Sequence, residues 1–235
     1  MTSRIMALAA LLAVTVAAVA FQAVRIEWKP KAGNEINYNL VMTATGDIGM
    51  GPMDVEAHIA IARKVLRVNG DGTVVVEESE TMTGLFLDGD DMTEMASGQG
   101  STVTTTTHKP NGEVTDRKID SPTGEDNPRM AESQVFIFPD KSVSPGDTWK
   151  RTVAGDYPAQ TVFKYIGTEK VGKWACYKVE VDFRETRGQQ PYTSKGFVWL
   201  STEDGELVKG VFDLKNFEPQ PGIVLDGVIQ IERAG

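Results

Sequence analysis

Apolar and polar side chains alternate from Ile36 to Ala44, with Ile36, Tyr38, Leu40, Met42 and Ala44 on one side and Asn37, Asn39, Val41 and Thr43 on the other. A period of two belongs to a strand with one face in a core and one in water. The alternation returns at Thr161, Phe163 and Tyr165, and again at Tyr177, Val179, Val181 and Phe183 against Lys178, Glu180, Asp182 and Arg184. Turn signals lie close to such runs, at Asn69-Gly70-Asp71-Gly72, Asn111-Gly112, Lys170 to Lys173 and Asp204-Gly205. Asn-Gly and Asp-Gly favour the positive φ that tight hairpins need, so neighbouring strands are expected to be antiparallel.

The run from Ile223 to Ile231 is β-rich on both faces, which predicts a strand in the middle of a sheet or one that closes it. Val55, Ile59, Ala62 and Leu66 fit a helical stripe, whereas Val55, Ala57, Ile59 and Ile61 fit a strand. The hairpin signal at Asn69 favours the strand, with a bulge near Arg63. The threonine-rich run from Ser101 to Thr107 reads as an exposed strand, because Thr is β-branched.

From Pro110 to Ser133 Asp, Glu, Pro and Gly crowd together and large apolar side chains are few, which predicts a mobile connection. A short helix from Pro128 to Ser133, capped by Asn127, fits inside it. The two sides of this seam share an order of signals: Gly33 then Tyr38 against Gly146 then Trp149, followed in each by two hairpins. The expected fold is mainly β, a curved antiparallel sheet or open barrel built from two β meanders with one short helix. It forms a single domain over 21–235 with a flexible seam at about 110–133.

The N-terminus changes the picture of where the protein acts. Arg4 precedes an apolar run from Ile5 to Phe21, interrupted only by Thr15, that contains the A-x-A pattern Ala18-Val19-Ala20. That order predicts a signal peptide over 1–20, cleaved before Phe21. An uncleaved anchor is the alternative, since about 17–25 apolar residues cross a bilayer. No cysteine follows the run to carry a lipid, and Cys176, the only cysteine, can form no intramolecular disulfide. The net charge of −9 sets the protein against nucleic acid and anionic membrane surfaces. The expectation is a periplasmic or secreted protein with no stable membrane insertion after signal cleavage.

Candidate chemistry is sparse. There is no G-x-S-x-G elbow, S-x-x-K motif, phosphate loop or zinc spacing. The only histidines are His58 and His108, read as ordinary sheet or surface residues. Met50-x-x-Met53 and Met92-x-x-Met95, with His58, offer soft donors suited to Cu(I), although Met more often fills cores. Asp88, Asp90, Asp91 and Glu94 offer hard oxygens without the spacing of a calcium loop, and a solvated turn is preferred. Glu180, Asp182 and Glu185 lie on or near one wet strand face and, with Lys178 and Arg184 interleaved, read as ordinary cross-strand pairing. Asp147 is expected to bond the turn at Pro145-Gly146, and Trp149 to pack in the core. No catalytic, cofactor-binding or metal-binding residue is assigned, and the protein is expected not to be an enzyme.

The stretch Phe138-Pro139-Asp140-Lys141-Ser142-Val143-Ser144-Pro145-Gly146-Asp147-Thr148-Trp149 resembles the "P, V, PGD, W" signature of a domain-of-unknown-function family of uncharacterised exported bacterial β proteins. The resemblance implies an exported β-rich domain and brings no catalytic residues with it. In outline the chain is also similar to the curved sheets of periplasmic lipoprotein carriers. Aromatic residues concentrate after Ser133, among them Phe163, Tyr165, Trp174, Phe197 and Trp199. The expected role is a binding or carrier module whose concave aromatic face takes an apolar ligand or a protein segment. The alternative is a structural or interaction protein of the envelope without a small ligand.

Overall fold

The structure is a computed structural model that describes residues 23–47, 51–98, 100–121, 128–220 and 222–235. The predicted signal peptide lies outside them. The first meander comprises β1 (Glu35–Asp47), β2 (Pro52–Val68), β3 (Val74–Leu87), β4 (Asp90–Asp91), β5 (Thr102–His108) and β6 (Val114–Asp120). The second comprises β7 (Thr148–Val153), β8 (Ala159–Val171), β9 (Trp174–Glu185), β10 (Thr193–Ser201), β11 (Leu207–Gln220) and β12 (Ile223–Arg233). Two short helices, α1 (Thr93–Ser97) and α2 (Pro128–Ser133), complete the described elements.

All strands belong to one 12-stranded sheet of order β6-β5-β3-β2-β1-β12-β11-β10-β9-β8-β7, with β4 paired to β3. Each meander therefore runs outward from the centre, and the antiparallel β1–β12 ladder from Tyr38↔Arg233 to Asp47↔Val224 joins them. β12 is the central strand that its two-faced composition predicts. The sheet is not closed: β6 and β7 stand at opposite ends of the order.

Segment by segment, the sequence expectations fare differently. Val55–Leu66 is strand, as expected, but the irregularities fall at His58/Ile59 and Val65/Arg67 and leave Arg63 in register. The threonine run is a strand but not an exposed one: β5 lies between β3 and β6, and Thr104 and Thr106 are buried. Their side chains share a face with Val76 and Glu78, because Thr106 stands opposite Val76 and Thr104 opposite Glu78. The segment 110–133 contains β6, paired to β5 with an irregularity that skips Thr115, and α2, while 122–127 lie outside the described residues.

Two stretches without strand periodicity pack against one face, here the inner one. Val24 and Val143 exchange backbone hydrogen bonds of 2.9 and 2.8 Å. Ile26, Phe138 and Val143 pack with Phe163, Tyr165, Val179, Val181, Val198 and Leu200 of the second meander. Fully burying one such side chain stabilises by about 1.5–3 kcal/mol. Trp28 packs against Val65, Val74 and Val76 of the first meander. Phe136 lies edge-on to Phe163 of β8 at 5.0 Å, while the Phe138 N–H reaches the Asn111 carbonyl in the β5–β6 turn at 2.8 Å. One short segment thus touches strands near both ends of the sheet, so the sheet must curl around it.

Two hairpin glycines seat these segments. Gly112 has φ +89° and Gly205 has φ +74°. A Cβ at Gly112 would collide with the Phe136 carbonyl oxygen, and one at Gly205 with that of Glu27.

Candidate functional site

The inner face of the first meander follows from the register. Buried Val76 and Val65 face each other, so Glu78 and Glu80 of β3, Arg63, Ile61 and Ile59 of β2, and Ile36, Tyr38, Leu40 and Met42 of β1 project to the same side. Across the central ladder Ile231 stands opposite Leu40 and Ile229 opposite Met42. At the bulge Ile59 meets Met82.

This face has two zones. Towards the inner segments it is closed and charged: Arg63 is held by Glu206 and, at 3.0 Å, by Glu78, and its guanidinium lies 5.3 Å from the Trp28 ring centroid. Burial alone would lower the pKa of Arg63, but the two carboxylates outweigh it and the pKa is raised. Burial likewise pushes the neighbouring Tyr38 hydroxyl far above its ordinary value. His108 closes the zone on the β5 side, edge-on to Trp28 at 5.4 Å, with Nδ1 3.2 Å from the Gly112 carbonyl and Nε2 2.8 Å from the Thr106 hydroxyl. Burial lowers its pKa, partly opposed by the Gly112 bond.

Beyond Arg63 the face turns aliphatic. Leu40, Ile59, Ile61, Met82 and Ile231 are only half-buried, and none belongs to the packed core clusters. They form a trough floor across β3, β2, β1 and β12. On its β5 side stands Glu80, opposite Ile61 of β2 and Thr102 of β5. Its pKa is raised, first by burial and then by Glu78, with Arg117 opposing.

The residues singled out from sequence fall elsewhere. Phe163 and Tyr165 are buried in the inner core. Trp174, Phe197 and Trp199 are on the outer face, where Lys178 lies 4.9 Å from the Phe197 ring centroid and 4.8 Å from that of Trp199. The five aromatics therefore line no common hollow, because strand parity divides them between two faces. Glu185 is not on a wet face: it is 5% exposed and takes a two-pronged bond from Arg129 of α2, 2.7 and 2.8 Å. Glu180 and Asp182 approach Lys195 at 3.5 and 4.0 Å as cross-strand partners.

Asp147 accepts the Ser144 N–H at 2.8 Å, and Trp149 stacks on Phe163 at 5.5 Å while donating to the Ile137 carbonyl at 2.6 Å. Asp88 accepts the Asp54 N–H and Asp91 the Thr93 N–H, and Asp90 pairs with Leu87 in β4. Glu94 lies in the first turn of α1. Met50 lies outside the described residues; Met53 stands opposite Gly46 in β2, Met92 precedes α1 and Met95 is exposed within it. His58 bonds Glu56 at 2.6 Å and meets the Phe86 ring edge-on. Among the described residues no three His, Cys, Asp or Glu side chains group as a metal site.

A groove of about 630 Å³ on the outer face is walled by Asp54, Glu56, Asp213 and Asp226 over Phe86 and Val228. Two of those acids already have partners: Glu56 bonds His58, and Asp226 bonds Lys215 and the Asn216 N–H. The trough was the feature the sequence reading missed. Parity from Val74 and Val76 places Glu80 on an inner face, but only the register shows that its neighbours there are aliphatic.

The fold is thus a single open, curled antiparallel sheet with its own chain packed into part of the curve. No family profile matches the chain, and no curated protein matches it. Among solved structures, a protein from Bacteroides fragilis described as exported with a YmcC-like fold is 13% identical, covering 90% of this chain and 100% of that one at a TM-score of 0.42. A protein from Parabacteroides distasonis described as a lipoprotein is 12% identical, covering 91% and 100% at 0.35. DynF from the dynemicin biosynthesis pathway of Micromonospora chersina is 9% identical, covering 91% and 85% at 0.22. Among the described residues no helix is long and apolar enough to cross a membrane.

Proposed function

We propose that the protein is exported and that its inner trough binds an apolar ligand, making it a binding or carrier module of the periplasm or cell exterior. The observation that carries the binding reading is the half-buried row Leu40, Ile59, Ile61, Met82 and Ile231, which is apolar surface left outside the core on the inward side of a curled sheet. Contiguous apolar surface of this kind marks ligand or partner sites. Export is supported by the order of Arg4, the apolar run and Ala18-Val19-Ala20, and by the resemblance of Phe138 to Trp149 to an exported β-rich family.

Native mass spectrometry of protein taken from its own envelope tests both halves. A mass beginning at Phe21 supports export, and a co-purifying apolar molecule released by Ile61→Asp supports the trough. Retention of Met1 through Ala20, or an empty protein that binds no apolar fluorophore, would remove the respective half.

A second reading rests on the two ends of the sheet. Among the described residues β6 and β7 each pair on one side only, and an open edge is a template for a partner strand. An interaction protein would use those edges and leave the trough empty.

A further inference from the structure

Glu80 differs from the other inner-face carboxylates. Glu78 is paired with Arg63, and Glu206 with Arg63 and the Trp28 indole. Among the described residues no hydrogen bond or ion pair reaches Glu80. Its neighbours are Ile61 opposite on β2, Met82 two residues along β3 and Thr102 opposite on β5. The charged groups facing it are Glu78, from its own strand, and Arg117, from β6. Its carboxylate is not fully enclosed, and it stands beside the aliphatic floor with no donor of the described residues bonded to it, so a donor carried by a ligand can reach it.

Resting on the reading of the trough as an apolar site, we propose that Glu80 is its polar anchor and that the ligand is an apolar molecule carrying a basic amine. The aliphatic floor takes the hydrocarbon, and the ammonium supplies the charge-assisted bond that the protein does not provide. An anionic amphiphile would bring a second negative charge beside Glu80 and Glu78. An uncharged one would add no positive charge to that of Arg117.

The test uses the mature chain with three probes below their aggregation limits: dodecylamine, dodecanol and dodecanoate, each titrated calorimetrically. The expected result is that the amine binds at least about tenfold more tightly than the alcohol, with dodecanoate weakest. Glu80→Gln should bring amine and alcohol together. Glu77→Gln, on the opposite face of the same strand, should preserve the preference, and thermal melts of both variants establish that they fold. If the alcohol binds as well as the amine, the Glu80 anchor is overturned while the apolar trough stands. If none of the three binds the folded protein, the trough itself fails and the anchor with it.

Discussion

Trp28 donates its indole N–H to Glu206 Oε1 at 2.8 Å across 178 residues of sequence. The other carboxylate oxygen of Glu206 receives the guanidinium of Arg63. One 4%-exposed acid therefore ties the N-terminal segment and both meanders together. Glu206→Ala should cost about 3–5 kcal/mol in denaturant melts, because it takes from buried Arg63 the more buried of its two carboxylates, leaving only Glu78, and leaves the Trp28 indole N–H without its acceptor. Trp28→Ala should cost a similar amount, about 3–5 kcal/mol, by emptying a large aromatic site. Lys64→Ala, which breaks an exposed pair with Glu35, should leave the melt unchanged.

Two hairpin glycines with positive φ separate backbone strain from crowding. Gly172, at φ +55°, has open space around it, and Gly172→Ala should cost about 1–2 kcal/mol from conformation alone. Gly205→Ala meets the Glu27 carbonyl as well and should destabilise clearly more in the same melts. Equal losses would show that the N-terminal segment is not seated on the β10–β11 turn.

Within the Pro145-to-Trp149 stretch the large aromatic and the acid have different jobs. Trp149→Ala should cost about 3 kcal/mol, since the ring stacks on Phe163. Asp147→Ala should cost about 1 kcal/mol, the usual loss of a side chain bonding a local backbone N–H.

The strands were legible in the sequence because period-two alternation and Asn-Gly or Asp-Gly turns are local signals. Ile223–Ile231 declared its central position by being β-rich on both faces. Residues 24–28 and 136–143 carry no period, so nothing local announces that Ile26 and Phe138 complete the core. The grouping of aromatics misled for a related reason: Phe163 and Trp199 lie on β8 and β10 of one meander, either side of β9, yet only register reveals that they point to opposite faces. Glu185 looked like part of an alternating wet face because its partner, Arg129, is 56 residues away.

Two inner-face groups give opposite pH signatures. His108 is depressed below 6.5 by burial, so its neutral form is favoured in the fold. The unfolded chain takes up the proton first as pH falls below about 6.5, and stability declines until the folded pKa is passed. His108→Gln should flatten that part of a stability profile measured by chemical denaturation.

Glu80 is raised above 4.5, so its neutral form is the one favoured in the fold. Its contribution is complete below about 4.5 and is lost as pH rises through the folded value. Glu80→Gln should therefore melt at a higher temperature than the wild type at neutral pH. A lower melting temperature would mean that the carboxylate supports the fold.

The β1–β12 ladder also sets an order of events in time. Tyr38 must wait for Arg233, so the middle of the sheet is the last place that can be joined as the chain emerges. Until then β1 and β11 each present a bare edge, and the ladder that ends this exposure spans nearly the whole described sequence. A chain stopped short of β12 would lose the strand that joins its halves, leaving two sticky sheets where the finished molecule has one.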